Sequence, residues 1–224
     1  MAILNDAQHD TVSSAVAAAE MTTAGEIVTV LAEKSDGYTD VALVWAAAVA
    51  FSVMSLFAMF PQPFLQFYDM LVGGWMHQWT TGQLASMTIA LGLISFLATW
   101  ALQLWPAIQF LMIPGPVKSQ RVRNHAVRHF KVGAERRTHG RTGVLIYLSM
   151  KEHRAEIVAD EPIAEKVPAE VWGEAMADML AEVSKGCTAE GIAAGVRDVG
   201  KVLAEHFPRG EDDQNELPDR LIEL

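Results

Sequence analysis

VALVWAAAVAFSVMSLFAMF, residues 41–60, contains no Asp, Glu, Lys or Arg. A helix rises 1.5 Å per residue, so roughly 20 apolar residues cross a bilayer core. Trp45 suits an interfacial anchor near the start of this run. Pro61 and Pro63 end it, because proline lacks a backbone donor and restricts the residue before it. A second apolar run, LASMTIALGLISFLATWALQLW, occupies residues 84–105. Pro106 interrupts it, and AIQFLMIP continues apolar to Pro114. Trp100 and Trp105 fit the second interface. Asp69 is the only formal charge between Asp40 and Lys118. Two such runs inside a soluble core would need more covering chain than 224 residues supply. The segment 39–117 is therefore read as a transmembrane helical hairpin, with spans at about 41–60 and 84–105, and the lipid bilayer as its first partner.

Working outward, the connector Pro61–Gln83 holds no Lys or Arg, but it includes Trp75, His77 and Trp79. His77 has no second ligand at a metal-like spacing and is read as solvated or interfacial. The flank after the second run carries Lys118, Arg121, Arg123, Arg128, Lys131, Arg136, Arg137 and Arg141 against Glu135 alone. Basic flanks stay cytoplasmic. This predicts an inner (plasma) membrane protein with two spans, both termini and the soluble part on the cytoplasmic side. Residues 118–138 read as a basic juxtamembrane helix with Val122, Ala126, Val127 and Phe130 as its apolar stripe. Its cations Lys118, Arg121, Arg123, Arg128 and Lys131 are candidates to hold anionic headgroups, at about 1 kcal/mol each near the surface. A topological signal with a solvated face is the plainer reading of the same charges. The net charge is −10. With no aromatic interleaving in the basic stretch, it argues against nucleic acid. A single cysteine, Cys187, rules out an intramolecular disulfide. The opening MAILNDAQHDTVSS has neither a basic n-region nor an apolar h-region, so no cleavable signal peptide is expected.

The remaining chain reads as one α/β domain in two pieces, 1–38 and 139–208. In the first, Asp6 or Asp10 caps a helix through TVSSAVAAAEM, Gly25 stops it, and EIVTVLA (26–32) is a β-branched strand. In the second, GRTGVLIYLS (140–149) and RAEIVAD (154–160) flank a short polar turn as a β-hairpin. A helix follows near Pro168–Val183, with Val171, Ala175, Met179 and Leu180 on one face. Another, capped by Thr188, runs to about Phe207 with Ile192, Val196, Val199, Val202 and Leu203 inward. Neither piece closes a core alone; joined, they give about three strands and three or four helices in two layers. An acidic tail, 209–224, spaces Leu217, Leu221, Ile222 and Leu224 among charges. It is either a docking peptide for a protein partner or a disordered or self-packed end.

Three stretches resemble the TPM domain, a family named for a thylakoid-lumen phosphatase-like protein, a photosystem accessory protein and a nematode receptor modulator. They are SAVAAAEMTTAGEIVTVLA (14–32), RTGVLIYLSMKEHRAEIVAD (141–160) and GIAAGVRDVGKVLAEHF (191–207). The chain is most similar to a bacterial subgroup of uncharacterised membrane proteins, in which a two-span insertion splits the domain and the end resembles NELPDRLIEL (215–224). The resemblance implies a small Rossmann-like α/β sandwich split by the hairpin. It also implies acid phosphatase activity, calcium binding, or a role in repair or regulation of membrane complexes. Where the family often has a glycine-rich turn after the second hairpin strand, this chain has Asp160, Glu161 and Pro162.

Thr23, Glu26, Arg141, Thr142, Asp160 and Glu161 all fall at predicted strand ends, where α/β sheets place ligand sites. Asp160 and Glu161 offer hard oxygens suited to Ca or Mg, and Arg141 offers a bidentate phosphate partner. Strand capping and surface ion pairs use the same residues equally well. His125 and His129 share a helix face at i, i+4 but lack a third ligand. No C-x5-R loop, P-loop, G-x-S-x-G or H-E-x-x-H occurs. Cys187, at a helix boundary with Lys185 as its only nearby cation, reads as an ordinary small residue. Two functions stay open: a membrane-anchored accessory protein that binds a protein partner or supports a membrane complex, and a metal-dependent phosphatase or divalent-cation binder.

Overall fold

A computed structural model describes residues 3–72, 79–133, 142–210 and 219–224. The chain divides into two units: residues 1–36 with 115–224, and residues 37–114.

The first unit is a mixed α/β sheet of four strands with helices, order β3-β2-β1-β4. Strands β1 (Glu26–Ala32) and β2 (Gly143–Ser149) are buried along their whole length. They pair in parallel from Glu26↔Gly143 to Ala32↔Ser149. A parallel pair needs a long crossover, and here the chain between them holds the whole second unit and helix α6 (Gly115–Gly133). Strand β3 (Arg154–Ala159) returns antiparallel to β2, which is the predicted hairpin.

Both faces of the sheet are covered, which is why β1 and β2 read as apolar runs without alternation. On one face Val12 and Val16 of α1 (Asp6–Glu20), Trp172 and Met179 of α8 (Ala169–Val183), and Ile192, Val196 and Leu203 of α9 (Thr188–His206) pack on Ile27, Leu31, Ile146 and Leu148. On the other, Val122, Ala126 and Phe130 of α6 pack on Val28, Val30, Leu145 and Tyr147. The apolar stripe read in 118–138 thus covers the sheet's second face, with Val127 half-buried beside it. The layering is α/β/α rather than two-layered.

Several local expectations shift. Asn5, not Asp6 or Asp10, caps α1, in a reciprocal capping box with Gln8. The helix ends at Glu20, before Gly25. Gly25 instead permits close approach, since a Cβ there would lie 2.9 Å from Leu203 Cδ1. Cys187 occupies the N-cap position of α9 without a side-chain bond, and Thr188 is the buried first residue of the helix. A six-residue helix, α7 (Glu161–Lys166), takes up the Asp160–Glu161–Pro162 sequence, with Pro162 in the first turn.

The tail supplies β4 (Ile222–Glu223), parallel to β1. The Leu224 amide donates to Leu31 O at 2.9 Å, and the Glu33 amide donates to Leu224 O at 3.0 Å. Leu221 is 5% exposed, inside the main core.

The second unit holds α2 (Thr39–Met59), α3 (Pro61–Val72), α4 (Thr81–Leu102) and α5 (Pro106–Met112). Helices α2 and α4 are long and apolar enough to cross a membrane, with 22% and 6% of their most apolar stretches buried. They pack together through small residues. Ala42, Ala46 and Ala50 are buried along α2, and a Cβ on Gly92 of α4 would lie 2.5 Å from Met54 Sδ. Small residues let two helix backbones approach closely enough for dispersion contacts between them. The buried Gln103 amide donates to Ala42 O at 3.1 Å, and the Trp45 indole donates to Met112 O at 3.0 Å. Thr80 and Gln83 form a capping box that starts α4 three residues before the predicted span. Most of the connector is α3, an element the sequence analysis did not separate from a loop. Pro61 and Pro63 sit in its first turn, where their missing donors cost nothing. Trp75 and His77 lie outside the described residues.

Candidate functional site

Two polar clusters occupy opposite ends of the sheet. The first gathers four of the six predicted ligand residues. The Thr23 hydroxyl donates to Phe207 O at 2.7 Å and accepts from the Gly25 amide at 3.0 Å. The Thr142 hydroxyl donates to Ala24 O at 2.9 Å, and the Glu26 amide donates to Thr142 O at 3.1 Å. Asp160 Oδ2 accepts from the Gly143 amide at 3.0 Å, while its own amide donates to Gly143 O at 3.0 Å. All four side chains are at least nine-tenths buried, whereas Glu161 is exposed at the first position of α7. Arg141 lies outside the described residues.

Thr23, Thr142 and Asp160 thus satisfy backbone groups where β1 and β2 begin. This is the amino end of the parallel pair, while ligand crevices in open α/β sheets form outside the carboxyl ends. Being at a strand end was therefore too coarse a criterion. Among the described residues no group of three His, Cys, Asp or Glu side chains is placed to hold a metal ion.

Glu20 joins this cluster unannounced. It is 7% exposed, and Oε1 accepts from the Ile27 amide at 2.8 Å. Burial is the main cause that pushes its pKa up to about 8. The Ile27 amide opposes the shift, and Glu26 and Asp219 add to it. A glutamate at the end of an alanine-rich helix gives no sequence sign of burial; only the return of α1 onto β1 encloses it.

The second cluster sits at the carboxyl ends of β1 and β2. The Ser35 amide donates to Glu152 Oε1 at 2.8 Å, and its hydroxyl lies 3.1 Å from Ser149 Oγ and 3.2 Å from Tyr147 Oη. The Ser149 hydroxyl also donates to Glu152 Oε2. All four residues are buried. Burial raises the Tyr147 phenol pKa. The network ties the β2–β3 turn to the end of β1. Ser149 closing the run VLIYLS, with Glu152 three residues on, was its available sequence signal. Behind Tyr147, the ring of His129 stacks at 6.1 Å and 21°, and His125 lies 6.2 Å from His129. Burial lowers the His129 pKa, with His125 and Arg128 adding to the effect. The i, i+4 histidine pair therefore belongs to the packing of α6 on the sheet.

The basic candidates of α6 divide. Arg121 pairs with Asp36 at 2.8 Å, and Arg123 with Glu156 at 3.7 Å. Lys118 is half-buried, and Arg128 and Lys131 are exposed. Of the docking candidates, Leu221 is in the core and Ile222 is in β4, while Leu224 is half exposed and held by backbone bonds to Leu31 and Glu33. Leu217 lies outside the described residues. Glu223 fastens the strand: it accepts from the Ile3 and Leu4 amides at 2.8 Å and meets His9 Nε2 at 3.1 Å. Those bonds hold its pKa low despite the burial that opposes them.

No curated protein matches the chain. Among solved structures, the NMR structure of BA42 protein from the psychrophilic bacterium Bizionia argentinensis is similar, with a TM-score of 0.58 and 17% identity over 100% of this chain and 97% of that one. At that identity the likeness is one of fold. The family model of the TPM domain matches residues 112–202, a stretch that takes in α6, the β2–β3 hairpin and most of α9. The match to the TPM domain falls almost wholly within the α/β unit of this chain.

Proposed function

We propose that the protein is a membrane-anchored accessory module, in which the hairpin of α2 and α4 fixes a TPM domain to the cytoplasmic face of the inner membrane for a protein partner. The observation that carries this reading is the exposure of the hairpin. Val44 and Phe51 of α2 are each 68% exposed, and α4 presents Ile89, Leu93, Ile94 and Leu97 in the same way. Apolar area on this scale is disfavoured in water and solvated by lipid tails. The exposed Arg128 and Lys131 of α6 add a cationic surface for anionic headgroups. Among the described residues, the outer edge of β3 leaves a strand edge for a partner. The phosphatase or cation-binding alternative gains no such support, since Thr23, Thr142 and Asp160 are engaged by backbone groups at the amino end of the sheet.

Alkaline carbonate extraction tests the anchor: the protein stays in the membrane pellet, and recovery in the supernatant would overturn the reading. Cys187 is the lone cysteine and is exposed. An impermeant maleimide is expected to label it only in permeabilised cells; labelling in intact cells would invert the orientation. Partner capture requires the intact tail, because removing residues 215–224 deletes β4 and Leu221 from the core. Cross-linking full-length protein in native membranes, followed by mass spectrometry, should return a stoichiometric partner. A protein recovered alone would count against the accessory role.

A further inference from the structure

Asp69 stands apart in the second unit. It is the only charged side chain between Asp40 and Lys118, it is half-buried, and among the described residues it makes neither ion pair nor hydrogen bond. An ionisable side chain in an apolar hairpin is costly and marks a functional site by default.

Its surroundings define a ligand. Asp69 lines two adjoining cavities within the unit, of about 690 and 410 Å³. Tyr68 and Trp79 frame the larger, their rings edge to face at 5.3 Å and 73°. Gln66 and Gln62, one and two turns before Asp69 on the same face of α3, line the smaller. One carboxylate among aromatic faces is a poor site for Ca or Mg, which need six or more oxygens. It suits an organic ammonium group, attracted by the carboxylate and by the negative ring faces. The connector from Pro61 to Gln83 supplies no Lys or Arg to pair with it. On the same helix Phe67, Met70 and Leu71 are 60%, 72% and 67% exposed, so α3 presents apolar surface beside this polar stripe, as an interfacial helix does.

We propose that the α3–α4 cleft binds a primary or quaternary ammonium group through Asp69, Tyr68 and Trp79. The source is either the headgroup of a lipid such as phosphatidylethanolamine or a soluble amine of choline size. The lipid source rests on the membrane reading above; ammonium recognition does not.

Native mass spectrometry of full-length protein from detergent, offered equal phosphatidylethanolamine and phosphatidylglycerol, tests the first source. Titration of the same sample with choline and tetramethylammonium by calorimetry tests the second. About tenfold retention of the ethanolamine lipid over the glycerol lipid is expected, a difference of about 1.4 kcal/mol. Asp69→Asn should bring it to parity, while Asp69→Glu retains it. Choline binding without lipid preference, lost in Asp69→Asn, assigns the soluble source. Parity between lipids together with no amine binding overturns the proposal, as does preference unchanged in Asp69→Asn. Should Asp69→Asn fail to fold, Trp79→Leu and Tyr68→Leu give the same reading through the aromatic faces. If carbonate extraction releases the protein, the membrane reading falls while the choline titration still decides this site.

Discussion

β1–β2 and α2–α4 are the most apolar parts of the molecule, and they meet opposite fates. Seven residues each of β1 and β2 vanish beneath α1, α8 and α9 on one face and α6 on the other. More than forty residues of α2 and α4 bury little beyond the alanine stripe, Phe57 and Gly92. Hydrophobicity alone therefore does not place a residue inside. A strand leaves its backbone groups to be paired by neighbours, so it needs a sheet and layers around it. A helix satisfies its own backbone and can stand apolar against lipid.

The strongest test of this contrast pairs two leucines. Leu148→Ala, in β2 at 1% exposure, should cost about 2–5 kcal/mol of the α/β unit's stability. Leu93→Ala, at 59% exposure on α4, should stay within about 0.5 kcal/mol. Chemical denaturation in detergent, followed by circular dichroism, reads both; equal losses would break the contrast.

Ile94→Arg attacks it from the other side. Ile94 is 64% exposed. A water-facing position accepts arginine freely, whereas the middle of a span resists it by about 2.5–3.5 kcal/mol. Membrane insertion measured by carbonate extraction should fall sharply, and improved recovery as soluble protein would reverse the assignment of α4.

Glu20→Gln probes the buried amino end of the sheet. The carboxyl titrates near 4.5 when exposed and at about 8 in the fold. Below the first value both states hold the proton and its contribution is whole. Between the two only the folded state retains it, so stability declines as pH rises and the loss is complete above about 8. Gln, always neutral, should erase that slope and leave the variant more stable by a few kcal/mol at pH 9 while matching the parent at pH 4. Urea midpoints across that range check it, and parallel curves would mean Glu20 is ionised in the fold.

The smallest expected effect concerns the tail. Glu223→Ala removes acceptors for the Ile3 and Leu4 amides and for His9, at about 1–3 kcal/mol. Amide exchange should accelerate at Ile3, Leu4 and Leu224 before the central strands. Unchanged protection there would show that Leu221 alone holds β4.

Residues whose neighbours lie close in sequence were legible. β1 and the β2–β3 hairpin declare themselves by β-branched runs and a turn, α8 and α9 by their apolar period, and α2 and α4 by uncharged length. β4 did not, since a two-residue strand has no period and exists only because β1 offers an edge. The stripe of Val122, Ala126 and Phe130 was legible, but its partner was not, because a stripe records that something is covered and not what. The candidate site was half legible. Thr23, Glu26, Thr142 and Asp160 do converge, yet which end of the sheet they occupy follows from strand direction, a property of the pairing. Asp69 was visible as a lone charge, while its cleft required α3 and α4 to come together.

The sequence by itself determined the hairpin, the split α/β domain and the family resemblance, all carried by composition, period and local order. The tertiary structure alone decided that the tail completes the sheet, that α6 forms a layer of the domain, and that Glu20 is buried. Those outcomes depend on contacts between segments as far apart as Leu31 and Leu224. Long-range pairing is set by the burial and hydrogen bonding available in the assembled core, and no local window of sequence contains that information.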